Sequence, residues 1–89
     1  MSDNTSLPSV QEVNDWSPDK VIAFLKFYNE EKKLYLRDED IKKIENNWVP
    51  GPAFLNLTLE KLLASSLSLP YGPAEVIAEL VSKIKGEGQ

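Results

Sequence analysis

Gly51-Pro52-Ala53-Phe54-Leu55-Asn56-Leu57-Thr58-Leu59-Glu60-Lys61-Leu62 is the stretch that decides how the rest of this chain is read. A Gly-Pro pair opens a helix where the missing proline N–H costs nothing. Ala53-Phe54-Leu55 is therefore predicted as a single helical turn. Thr58 then caps a helix over 59–66, with Leu59, Leu62 and Leu63 as its apolar face. Helices this short need longer ones to pack against.

Downstream, Gly72-Pro73-Ala74 repeats the first tripeptide and opens the longest predicted helix, 73–85. Val76, Ile77, Leu80, Val81 and Ile84 share one stripe of it. Glu75 and Glu79 near its start and Lys83 and Lys85 near its end match the helix dipole. The twin tripeptides are a shared capping device and not a repeat architecture, which needs several longer units.

Upstream, Ser17-Pro18-Asp19 is a strong helix start. Val21, Ile22, Phe24, Leu25 and Tyr28 follow at helical spacing and predict a helix over 18–28, ending around Asn29. Trp16 is placed in packing ahead of that cap. Leu34-Tyr35-Leu36 reads as an extended connector. Asp38 and Asp40 offer capping for a further helix that turns Ile41 and Ile44 inward and exposes Glu39, Lys42, Lys43 and Glu45. Trp48 either continues the inward row or is a contact residue, since tryptophan is enriched at interface centres. The fold class is all-α: five helices, two of them very short, and no sheet.

The chain has 89 residues with neither histidine nor cysteine. That removes disulfides, thiolate zinc sites, Cys nucleophiles, His bases and Ser-His-Asp triads. The carboxylates that remain lie in solvated positions, and no Gly-rich phosphate loop occurs, so no enzyme and no cofactor is expected. The formal charge of −4 belongs to the ends of the chain. Asp3, Glu12, Asp15 and Glu87 account for it, while acidic and basic residues cancel between 17 and 85. Residues 1–13 are polar and read as a disordered tail, 14–85 as the folded domain and 86–89 as a second tail. No secretory signal and no membrane-spanning apolar run occurs, so the default location is intracellular, cytoplasmic or nuclear.

Three blocks together resemble a sterile alpha motif (SAM) domain over roughly residues 14–85. The first is Trp16-Ser17-Pro18 with Val21, Phe24 and Leu25. The second is Asn47-Trp48-Val49-Pro50 running into the stretch quoted above, and the third is Leu69-Pro70-Tyr71-Gly72-Pro73-Ala74 with the final helix stripe. The resemblance implies a five-helix bundle that works as a protein-interaction module in an intracellular signalling or regulatory assembly. It implies as partner another SAM domain, of the same or a different protein. It further implies two contact surfaces. Asp38, Glu39, Asp40, Glu45, Trp48 and Glu60 are the candidates for the mid-loop surface. Leu69, Tyr71, Gly72, Pro73 and Glu75 are the candidates for the end-helix surface.

The chain departs from the family pattern at Gly72-Pro73-Ala74-Glu75, where many members place a basic residue. That argues against charge-driven polymerisation and favours a hetero-partner, or an apolar end-helix contact in a self-associating scaffold. The same missing charge argues against RNA as a partner, and a membrane is likewise not expected.

Overall fold

The computed structural model describes residues 7–86. Six helices follow one another: α1 (Val10–Asn14), α2 (Pro18–Lys32), α3 (Asp38–Asn46), α4 (Gly51–Leu55), α5 (Leu59–Leu63) and α6 (Tyr71–Ile84). No strand occurs among the described residues. All five expected helices are present, and α1 precedes them. The main helix contacts are α1 with α4, α2 with α3 and α4, and α5 with α6.

α1 corrects the expectation of a disordered tail through residue 13; the part of that expectation covering residues 1–6 lies outside the described residues. Ser9 and Glu12 form a reciprocal capping box. The Glu12 N–H donates to Ser9 Oγ at 3.1 Å, and the Ser9 N–H donates to Glu12 Oε1 at 2.9 Å. One turn later Val13 is fully buried in the common core. The turn is tied to α4 by the Gly51 N–H, which donates to the Trp16 carbonyl at 3.0 Å.

The two Gly-Pro-Ala sites differ although their letters match. Neither glycine has a positive φ, so neither supplies a left-handed turn. A Cβ placed on Gly51 would lie 1.6 Å from the Val13 carbonyl oxygen, whereas at Gly72 it would meet nothing within 4 Å. Gly51 is needed for close approach of α4 to α1. Gly72 sits in the open first turn of α6, which starts at Tyr71, two residues before the expected start.

α2 starts as expected, with Ser17 Oγ accepting the Lys20 N–H at 3.3 Å. It runs past residue 28 to Lys32, which makes it one residue longer than α6, and Lys33 takes the left-handed cap at φ 52°. Asn29 is therefore inside the helix and not at its end. Its side chain instead clasps the connector: Nδ2 donates to the Leu36 carbonyl and Oδ1 accepts the Leu36 N–H, both at 3.1 Å. The pair mimics a strand contact and fixes Leu36 in the core. Asn29→Ala strands both Leu36 groups and should cost about 1–2 kcal/mol. A fall in the urea midpoint at unchanged slope would show it; an unmoved midpoint would remove the clasp from the account.

α5 has the expected Thr58 cap, Oγ1 accepting the Lys61 N–H at 3.2 Å, but stops at Leu63 and not at 66. The chain then tightens through Ser68, at φ 53°, whose hydroxyl donates to the Ser65 carbonyl at 2.8 Å. This loop delivers Leu67 and Leu69 to the core. There they join Val21 and Leu25 of α2, Ile41 and Ile44 of α3, Phe54 of α4, Leu62 of α5 and the Ala74–Ile77–Leu80–Val81–Ile84 stripe of α6. Each of the larger side chains among them contributes about 1.5–3 kcal/mol by leaving water, against the entropy of ordering it.

Candidate functional site

Five acidic residues were expected to give the mid-loop surface its character, and α3 shows why they do not act together. Asp40 stands at the third position of α3 with its side chain fully buried. It accepts the Arg37 N–H at 3.0 Å, Arg37 Nε at 3.2 Å and a terminal guanidinium nitrogen of Arg37 at 3.3 Å. Arg37 has no side-chain acceptor to return the bond, so only half of a capping box forms. Asp40 is thus a structural cap and not a contact residue, which corrects its place among the candidates.

Glu39 is exposed but pairs with the same guanidinium at 2.9 Å. The hydrogen bond to Asp40, then the charges of Asp40 and Glu39, raise the Arg37 pKa above its ordinary value. Asp38 and Glu45 are exposed along α3 and line one shallow groove with Lys26, Ile41 and Lys42. Two cations therefore share the groove with those two carboxylates. Glu60 is exposed on α5. The cluster that looks acidic in sequence is largely offset in space.

What stands out instead is aromatic. Trp48 is 65 % exposed, which corrects its inward reading, and its backbone is left-handed at φ 54°. A bulky residue adopts that conformation at a cost of about 1–2 kcal/mol. It follows the end of α3, its N–H donating to the Glu45 carbonyl at 3.1 Å. That end is pinned to the loop before α6: Lys43 Nζ donates to the Ser68 carbonyl at 2.9 Å and Asn47 Nδ2 to the Ser66 carbonyl at 3.1 Å.

On the other side of this seam the end-helix candidates divide. Leu69 is buried in the core, which removes it as a contact residue. Tyr71, Gly72 and Glu75 are exposed and Pro73 is half-buried, all in the first turns of α6. In chain order Trp48 follows the α3 side of this seam and Tyr71 follows the loop side.

Sequence reasoning did not single out Tyr35 or Phe27. Tyr35 is 85 % exposed and left-handed at φ 64°, between the half-buried Leu34 and the buried Leu36. The connector expected to be extended is therefore not extended at Tyr35, and its apolar neighbours Leu34 and Leu36 were the only sequence signal for an outward middle residue. Phe27 is 58 % exposed on α2.

The described residues thus form an all-helical bundle with several large aromatic side chains exposed, and no group of three metal-ligating residues occurs among them. A family model described as a SAM-like domain matches residues 1–83, and the chain belongs to that family. SAM-like domains are in general interaction modules without catalytic activity. Comparison with curated proteins and with solved structures gives no match. No helix among the described residues is long and apolar enough to cross a membrane.

Proposed function

We propose that this chain is a protein-interaction domain of an intracellular regulatory assembly, and that it docks another SAM-like domain on the end of α3 with Trp48 as the anchor. The exposure of Trp48 in a strained backbone carries the reading. Strain of this kind persists where the surroundings over-determine it, and it clusters at functional positions. A large exposed tryptophan beside polar groups is also the side chain most enriched at interface hot spots. Asp38, Glu45 and Glu60 lie on the exposed faces of α3 and α5 and would supply the polar rim.

The test is affinity capture from native cell extract, with mass spectrometry of what is retained. The expected result is a SAM-like protein held by the native chain and lost about 10–100-fold with Trp48→Ala, at unchanged helical circular dichroism. Equal capture by the variant, or a captured set without any SAM-like protein, would refute it.

A second reading rests on Tyr71, whose exposed ring lies beside the open backbone of Gly72. It assigns the end-helix turn to self-association through an apolar contact. The corresponding assembly would resist salt and dissolve with Tyr71→Ala.

A further inference from the structure

The apolar residues of α2 are not confined to its core face. Val21, Ile22 and Leu25 are buried, yet Phe27 is 58 % exposed. Phe27 lies two residues from Leu25, and at ~100° per residue the two point to nearly opposite sides of the helix. Along the stripe centred on Phe27 stand Lys20, Ala23, Phe27, Glu30 and Glu31, all exposed.

The order of this stripe is a positive end, a small residue, a large residue and a negative end. Lys20, Glu30 and Glu31 form no ion pair among the described residues, and the Lys20 ammonium only rests 5.8 Å from the Trp16 ring centroid. Turning a second α2 end for end about the level of Leu25 brings position 20 opposite 30 and position 23 opposite 27. Lys20 then faces Glu30 with Glu31 in reach, and Phe27 fills the space above Ala23, twice over. A parallel arrangement sets Lys20 on Lys20 and the glutamates on glutamates, which is repulsive.

We infer that this stripe is a self-complementary face on which a second copy of the chain docks antiparallel, closing at two copies. The contact is isologous, so it does not propagate. One helix stripe buries less than the ~1,200 Å² of a standard interface, and the pairing is correspondingly weak, with a dissociation constant on the order of 100 µM.

The inference goes beyond docking at Trp48 and is separable from it. Sedimentation equilibrium of the full chain from about 10 µM to 1 mM spans the expected constant. A reversible monomer–dimer equilibrium weakened by salt is expected, and Phe27→Asp should weaken it at least about tenfold while leaving the helical signal intact. Lys20→Glu should also weaken it, and adding Glu30→Lys and Glu31→Lys to that variant should restore it, because the swapped charges pair again. A monomer throughout, a dimer indifferent to Phe27→Asp, growth beyond two copies, or no rescue in the triple variant would each overturn the assignment. Trp48→Ala should leave the dimer unchanged, so either proposal can fail while the other stands.

Discussion

Gly51→Ala is expected to cost about 3 kcal/mol, while Gly72→Ala, in the same tripeptide, changes stability by less than about 1 kcal/mol. The added methyl at Gly51 has no room: its carbon would overlap the Val13 carbonyl oxygen, a backbone atom with no rotamer to yield. Relief requires α1 to move away from α4. That exposes Val13, breaks the Gly51-to-Trp16 hydrogen bond and disturbs the packing of Trp16. The loss is bounded by what docking of α1 contributes, because beyond that value the helix simply detaches. For a domain of this size 1 kcal/mol moves the melting temperature by about 4–8 °C, so a fall of about 15 °C is expected at Gly51. At Gly72 the new methyl meets open space in the first turn of α6, and alanine's helix preference acts in its favour. Equal melting temperatures for the two variants would show that α1 does not pack as described.

Asp40→Ala should cost about 2–3 kcal/mol and Asp38→Ala about 0.5 kcal/mol, although both are acidic residues in the first turn of α3. Asp40 is the buried acceptor for three Arg37 donors, and its removal leaves the Arg37 amide and guanidinium without that partner. Asp38 is exposed and offers the helix start only its charge. Asp40→Asn should fall between, since the amide oxygen can still accept the Arg37 N–H. Thermal unfolding of the three variants checks the order. The raised Arg37 pKa means any stability linked to it is present below its unfolded value and lost only in strong alkali, so these differences should hold across the neutral range. Reversing the charge at position 40 would unfold the domain and report nothing about binding.

Much of this was legible in the residues. The Ser17 and Thr58 caps, the α6 stripe and the all-helical class follow from local chemistry, and the structure has them where local chemistry puts them. α1 escaped because its one buried side chain, Val13, makes no periodicity. The Ser9-x-x-Glu12 capping signature was its only local mark. Its place depends on Gly51, a contact that no window of neighbouring residues can display. Asp38 and Asp40 differ only by which one meets Arg37 and the core. Trp48 stayed open between core and contact for a related reason: propensity never places a tryptophan in left-handed backbone, so its exposure comes from the way α3 ends against the loop at Ser66 and Ser68.

The contact between Val13 and Gly51 also orders the assembly of the chain in time. α2 with α3 and α5 with α6 are neighbours along the chain and close short loops, which form early and at small entropic cost. α1 can only dock once α4 has been built far downstream and has presented the bare backbone of Gly51. Its docking is accordingly expected to come late, and substitutions there should accelerate unfolding more than they slow folding, which a chevron plot of Val13→Ala would check. On that order the N-terminal turn would work as a latch, closing last and opening first.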